Sequence, residues 1–218
     1  AGMLNKPASA AADNPLAAKQ PHFSPRAKRI IFLFMQGGPS HVDSFDYKPL
    51  LKERDGQSFP FDDARVIAKT GKRGSSQKVM KPLWKFKQHG ESGMWVTELL
   101  PWTAKMVDEM CFVRSMHTEA INHEPAITYM QTGNQITGRP CLGSWTSYGL
   151  GSLNEDLPGF VVLVAQSTKP AQAQAIGARL WSSGYLPGEY AGVSFRSSGD
   201  PILYLNNPPG VPDAVRRK

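Results

Sequence analysis

Residues 29–46 read RIIFLFMQGGPSHVDSFD, and the expected architecture of the chain follows from this stretch. Its apolar part, residues 30–35, is continuous, as in parallel strands that are covered on both faces. A glycine-rich corner comes next, and then Ser40, His41, Asp43 and Asp46. Ligands of open α/β sheets bind beyond the carboxyl ends of strands, so these polar side chains form a candidate site.

The rest of the chain alternates between strand and helix patterns. Apolar runs predict further strands at residues 111–116 and 160–164. Helical spacing predicts helices at residues 98–110 and 124–132, the second ended by Gly133. This alternation predicts an α/β fold with a mostly parallel sheet and helices on both faces. The three strands are expected to be parallel neighbours or near neighbours in one sheet.

Composition narrows the class of protein. The chain has 218 residues, 40% of them hydrophobic, which is enough for one large domain or two small ones. The net charge of +7 comes from a local basic insert at about residues 62–95, where residues 65–87 contain no acid. No nucleic-acid motif accompanies this charge, so no nucleic-acid partner is predicted. Two cysteines make neither a disulfide framework nor a zinc site, and no apolar run predicts a transmembrane segment.

Both ends of the chain suggest boundaries. Residues 1–28 are predicted to be a linker following an export signal, because the start is small and Ala-rich and has no hydrophobic period. Residues 29–218 are predicted to be the N-terminal part of an α/β domain. Residues 206–213 consist of turn and extended chain, which favours a fragment that ends in a loop.

Residues 100–133, LPWTAKMVDEMCFVRSMHTEAINHEPAITYMQTG, resemble the sulfatase arrangement of the alkaline phosphatase superfamily. The sulfatase signature is Cys or Ser, any residue, Pro, Ser, Arg, a short variable segment and Thr-Gly. Pro125, Thr132 and Gly133 match it, whereas His123 stands at the nucleophile position and Ile127 at the Arg position. A second departure follows the first strand, where sulfatases carry paired aspartates and this chain has Gln36 and Gly37.

Most of residues 21–165 resembles one branch of that superfamily more closely, the family called domain of unknown function 1501. The resembling segments include PHFSPRAKRIIFLFMQGGPSHVDSFDYKP, WKFKQHGESGMWVTELLP, VRSMHTEAINHEPA and TGRPCLGSWTSYGLGSLNEDLPGFVVL. The resemblance implies a planctomycete-type exported protein, located in the periplasm or cell envelope after a twin-arginine (Tat) signal. It also implies a C-terminal half that supplies an Asp-His pair and completes the domain, so residues 1–218 alone are expected to show no metal-dependent ester hydrolysis.

The resemblance implies a sulfatase-like or phosphatase-like hydrolase that acts on an anionic sulfate or phosphate ester with a divalent metal ion. Zinc, calcium, magnesium and manganese all remain open as that ion. The residues carried over are the catalytic candidate His123, the metal ligands His41, Asp43 and His117, and the substrate contacts Asn122 and Arg139.

Each candidate residue also has a plainer interpretation. His123 begins a helix, where anions bind well, and its role as nucleophile, metal ligand, substrate contact or structural residue stays open. Ser40 or Asp43 can cap the helix that follows, and Asp46 is predicted to be solvated. Asn122 can cap a helix instead of binding substrate, and Arg139 can hold its own loop in place.

Catalysis itself is left open by the sequence. The first alternative to a hydrolase is a non-catalytic exported member of the fold that binds an anionic ester, a sulfated glycan or a partner protein. The missing aspartate pair and the missing Cys, Ser or Thr nucleophile favour that alternative. A structural or assembly protein without a site is the third hypothesis, and bound metal separates the hydrolase from the other two.

Overall fold

The computed structural model describes residues 14–60, 76–120, 122–154, 156–165, 177–202, 207, 210 and 212. In these ranges the α-helices are α1 (Pro49–Glu53), α2 (His123–Thr132) and α3 (Leu142–Leu150). Short 3₁₀ helices cover His41–Asp43, Thr103–Glu109, Ala178–Leu180 and Gly188–Tyr190. The strands are β1 (Ser58–Pro60), β2 (Ser76–Lys78), β3 (Phe86–His89), β4 (Met94–Thr97), β5 (Val161–Leu163) and β6 (Val193–Phe195).

These strands form pairs. β1 and β2 are antiparallel, with Ser58 opposite Lys78. β3 and β4 form an antiparallel hairpin in which Phe86 lies opposite Thr97. β5 and β6 are parallel, and Val161 lies opposite Val193. The described residues thus contain three separate two-stranded sheets.

The chain divides into two compact units. The first unit consists of Ala1–Phe32 and Ile127–Lys218, and the second of Leu33–Ala126. The second unit contains His41, Asp43 and His117 and begins shortly before the glycine-rich corner.

The core of the second unit lies between the β3–β4 hairpin and the Thr103–Glu109 helix. Val96, Ala104 and Val107 are buried at its centre. The partly buried side chains around them are Phe45, Met94, Leu100 and Phe112. Burying these apolar groups stabilises the contact between hairpin and helix.

Asp108 holds the tip of the hairpin. Its carboxylate accepts hydrogen bonds from the backbone N–H groups of Glu91 and Ser92, both at 2.9 Å. The bonds from Ser92 and Glu91 lower the pKa of Asp108, because they stabilise the ionised form. Gly90 has φ 67° and lies directly against this carboxylate, where a side chain has no room. The tip therefore requires glycine for both its conformation and its space.

In the first unit, α3 packs through small residues. Cys141 caps its N-terminus, and its Sγ accepts a hydrogen bond from the Ser144 N–H at 3.4 Å. Ser144 is fully buried, and its Oγ donates to the Ser182 carbonyl at 3.1 Å. Gly143 leaves space for the ring of Phe160, in which a Cβ would overlap.

The N-terminal residues of the first unit are bonded to the end of α3. The Lys19 N–H donates to the Leu150 carbonyl at 2.9 Å, and the Ser152 N–H donates to the Leu16 carbonyl at 2.7 Å. The ammonium of Lys19 lies 5.2 Å from the ring centre of Tyr148. Residues 16–19, within the predicted linker, therefore pack against the end of α3.

Some of the predicted helices and strands are confirmed, and others differ from the structure. The strand predicted at residues 160–164 is confirmed as β5, and the helix predicted at residues 124–132 is confirmed as α2, with Gly133 following at φ 72°. The helix predicted at residues 98–110 is shorter, since only Thr103–Glu109 is helical and it is a 3₁₀ helix.

The strands predicted at residues 30–35 and 111–116 are wrong for this structure, which has extended chain and turn there. Their apolar side chains lie largely exposed, for example Ile31 at 80% and Met116 at 75%. An apolar run forms a strand of a buried sheet only when its side chains are covered, and most of these side chains are not covered in this structure. The order of strands in one mostly parallel, alkaline phosphatase-like sheet stays a prediction.

Of the predicted basic insert, residues 62–75 lie outside the described residues. Its later part, up to residue 95, contains β2, β3 and the start of β4.

Candidate functional site

The site begins at a tight turn over residues 35–38. The Gly38 N–H donates to the Met35 carbonyl at 3.0 Å, and Gly37 has φ 81°. A side chain disfavours this left-handed conformation, so glycine fits here. A Cβ on Gly38 would meet no atom within 4 Å. The turn is therefore fixed in its backbone and open on the side of Gly38.

The chain after the turn coils around the carbonyl of His41. The N–H groups of Phe45 and Asp46 both donate to it, at 3.1 and 2.9 Å. Ser40 Oγ donates to Asp43 Oδ2 at 2.8 Å. We call residues 36–48 the charged loop, because His41, Asp43, Asp46 and Lys48 all lie in it.

The β3–β4 hairpin anchors the charged loop. The Thr97 N–H donates to the carbonyl of Ser44, which is 4% exposed. The Tyr47 ring packs between Trp95, at 4.5 Å between ring centres, and Phe86, at 5.1 Å. These contacts fix the loop on both sides of Asp46.

Asp46 is the electrostatic centre of the charged loop. Lys48 Nζ lies 2.8 Å from Asp46 Oδ2, and His41 Nε2 lies 4.0 Å from the same oxygen. The hydrogen bond from Lys48 lowers the pKa of Asp46, burial opposes that shift, and the charges of Lys48, His41 and Arg114 reinforce it. Asp46 is therefore ionised at neutral pH and paired with the Lys48 ammonium.

The side-chain pairs within the charged loop differ from the predicted pair. Sequence reasoning paired His41 with Asp43, but Asp43 binds Ser40 and His41 faces Asp46. The interpretation of Asp46 as solvated is wrong, because its side chain is only 22% exposed and bonded to Lys48. Ser40 occupies the N-cap position of the 3₁₀ helix, but its side chain makes no capping bond there and donates to Asp43 instead.

The other predicted site residues lie at the surface. His117, Asn122 and His123 are exposed and belong to the second unit, as His41 and Asp43 do. His123 is the first residue of α2, and the Asn122 carbonyl accepts the Ala126 N–H at 3.0 Å. Arg139 is exposed and belongs to the first unit. Five of the six predicted residues therefore share one compact unit.

The donor set for a metal ion is not assembled in this structure. Within the described ranges, no three His, Cys, Asp or Glu side chains lie close enough together to hold an ion. Asp43 and Asp46 instead bind Ser40 and Lys48. In the described residues, the predicted ligands His41, Asp43 and His117 are therefore not grouped as a metal centre.

Comparison with known proteins identifies the family of the chain. The sequence model of one family, described as a protein of unknown function (DUF1501), matches residues 27–218. The chain belongs to the DUF1501 family. No curated protein and no solved structure matched the chain significantly. No helix in the described part of this DUF1501 protein is long and apolar enough to cross a membrane.

The DUF1501 match contains the whole charged loop and every predicted site residue. Sequence reasoning included Asp46 in the candidate site but interpreted it as solvated, and it missed Lys48 and Arg114. The acid two residues before Lys48 was an available signal for that pair. Nothing in the sequence indicated Arg114, since it is distant along the chain.

Proposed function

We propose that this DUF1501 protein binds and hydrolyses an anionic sulfate or phosphate ester at the charged loop. The observation that carries the proposal is the convergence of His41 and Lys48 on Asp46, with the charge of Arg114 also acting there. One small surface thus offers cations for an anionic group and an imidazole beside a carboxylate for proton transfer.

Binding follows from the charges. Lys48 and Arg114 carry fixed positive charge, and the backbone contacts of the loop hold Lys48 close to Asp46. The Lys48 ammonium and the Arg114 guanidinium can hold a sulfate or phosphate group by charge-assisted hydrogen bonds, against the charges of Asp43 and Asp46. Salt weakens this attraction, because both side chains are largely exposed.

The proposed chemistry uses water. Water oxygen attacks the sulfur or phosphorus atom, the bond to the ester oxygen breaks, and His41 accepts the proton that the water loses. Asp46 beside the ring stabilises the imidazolium that results, and the proton is then passed to the departing alcohol. His123, at the start of α2, is the further proposed contact for the ester. The proposed step uses only water and the side chains of this loop.

The location and fold belong to the proposal as well. The resemblance supports export to the periplasm or cell envelope and an alkaline phosphatase-like sheet. The parallel pairing of β5 with β6 supports that sheet, since parallel strands are its main component.

The test is hydrolysis of an aryl sulfate and an aryl phosphate, with a chelator and with added zinc, calcium, magnesium or manganese. His41→Gln, Asp46→Asn and His123→Ala are compared with the control His22→Gln, which changes an exposed histidine of the other unit. The assay uses the protein with the C-terminal half that the resemblance implies, because residues 1–218 alone are expected to show no metal-dependent hydrolysis. We expect turnover by this wild type and by the control, and a fall of about a hundredfold in kcat for His41→Gln. Turnover that survives His41→Gln and Asp46→Asn unchanged contradicts the proposed site. The chelator arm decides whether a metal takes part.

The second candidate function is binding without catalysis, with a sulfated glycan as ligand. The bonds of Ser40 to Asp43 and of Lys48 to Asp46 favour it, because both carboxylates are engaged within the loop. Retention on a heparin-type resin that Lys48→Met abolishes, together with no turnover of either ester, supports this candidate over the hydrolase.

A further inference from the structure

Gln36 carries an unused hydrogen-bond donor in the charged loop. Its Nε2 is buried and has no hydrogen-bond partner in the part of the chain that the structure describes. Buried polar groups in folded proteins are nearly always paired, so an orphaned donor calls for an explanation. A ligand that brings its own acceptor is one physical explanation.

The position of Gln36 is fixed by its backbone. It precedes Gly37 in the turn that the Gly38 N–H closes onto the Met35 carbonyl. The space beside Gly38 is open, since a Cβ there would meet nothing within 4 Å. A small group can therefore approach the backbone of the turn beside Gly38, and the Gln36 side chain must turn outward to meet it, because its Nε2 is buried.

The chemistry of the donor selects the ligand. The N–H groups of a carboxamide nitrogen donate and do not coordinate a cation. Lys48 and Arg114 bring positive charge to the same unit, and Lys48 to the same loop. An anionic oxygen suits both the unpaired donor and the positive groups, and hydrogen bonds to charged acceptors are the stronger kind.

We propose that the side-chain amide of Gln36 donates a hydrogen bond to a non-bridging oxygen of the sulfate or phosphate group, and so selects ionised esters. This inference rests on the proposed function for the location of the ester. It adds a specificity-determining residue that takes no part in proton transfer.

The experiment is calorimetric titration of the protein with inorganic sulfate and with inorganic phosphate, beside the KM for the aryl esters. Gln36→Met keeps the length of the side chain and removes the donor. The matched control is Gln88→Met, because Gln88 Nε2 already donates to the Gly93 carbonyl at 3.2 Å in the same unit. We expect Gln36→Met to weaken anion binding about tenfold and to keep or raise the thermal midpoint. We expect Gln88→Met to leave anion binding unchanged and to lower the midpoint.

A second variant tests the inference if Gln36→Met does not fold. Gln36→Glu is nearly isosteric and places a negative charge where the anion would bind, so it is expected to lose anion binding more completely than Gln36→Met. Anion affinity equal to that of the wild type in either folded variant overturns the inference.

The outcomes also separate the inference from the proposed function. Anion binding that depends on Gln36, with no ester turnover, supports the inference and rejects the hydrolase. Turnover whose KM is unchanged in Gln36→Met supports the hydrolase and rejects the inference. A wild-type protein that binds neither sulfate nor phosphate rejects both.

Discussion

Replacing Gly90 by Ala tests the hairpin that anchors the charged loop. Gly90 has φ 67°, and a left-handed conformation costs an Ala residue about 1–2 kcal/mol. Ala has less conformational freedom than Gly in the unfolded chain, and this difference offsets about 0.4–1 kcal/mol of that cost. The net loss from the backbone is therefore about 1 kcal/mol.

A second effect at Gly90 comes from space. The new Cβ would lie 2.6 Å from Cγ of Asp108, which is far inside contact distance. Asp108 cannot move away without breaking its bonds to the Glu91 and Ser92 N–H groups. Gly90→Ala must therefore destabilise the protein by more than the backbone effect alone.

The matched control is Gly56→Ala in the same unit. Gly56 has φ 75°, and nothing lies within 4 Å of its Cβ position, so only the backbone effect applies. The assay is urea unfolding followed by tryptophan fluorescence, which reports on Trp95 among the five tryptophans. We expect Gly56→Ala to lose about 1 kcal/mol of unfolding free energy and Gly90→Ala to lose clearly more. Equal losses in the two variants would refute the role given to Asp108.

Three further predictions concern a buried hydroxyl, a charged pair and a glycine. Thr97 is fully buried, and its Oγ1 has no partner in the described residues. Thr97→Val should therefore raise the free energy of unfolding by about 1 kcal/mol in a denaturant titration. Ser144→Ala removes a paired hydroxyl and should lower that free energy. The pKa of Asp46 is lowered from its ordinary 3.8, so its stabilising effect is complete well above pH 3.8 and is lost as the pH falls through its lower folded value. The stability difference between wild type and Asp46→Asn should therefore shrink in acid, and a difference that grows in acid would contradict the Lys48 pair. Gly151→Ala would collide with the Ala17 carbonyl, so limited proteolysis should cut residues 14–19 faster in that variant.

Local signals in the sequence predicted part of the local structure. An apolar run was enough for β5, and Gly133 was enough to end α2. The strand prediction at residues 30–35 failed because an apolar run indicates a tendency to be buried and does not show which part of the chain will cover it. That cover depends on distant residues, which no local pattern reveals.

The candidate site shows the same limit. The glycine turn, His41 and Asp43 were recognisable from composition, since each belongs to a short segment. The partners of His41 and Asp43 were not recognisable. The chain coils around the His41 carbonyl, so that Asp46 lies near the His41 ring and Asp43 accepts a hydrogen bond from Ser40. Arg114 joins the electrostatics of Asp46 only through the tertiary fold.

The central claim is that the charged loop binds a sulfate or phosphate group. A two-dimensional amide NMR titration of the protein with inorganic sulfate and phosphate tests it most directly, because each shifted amide reports on its own residue. The account predicts saturable shifts concentrated in residues 36–48 and at Arg114, which Lys48→Met weakens. Shifts confined to residues outside this set, or the absence of saturable shifts, would contradict it.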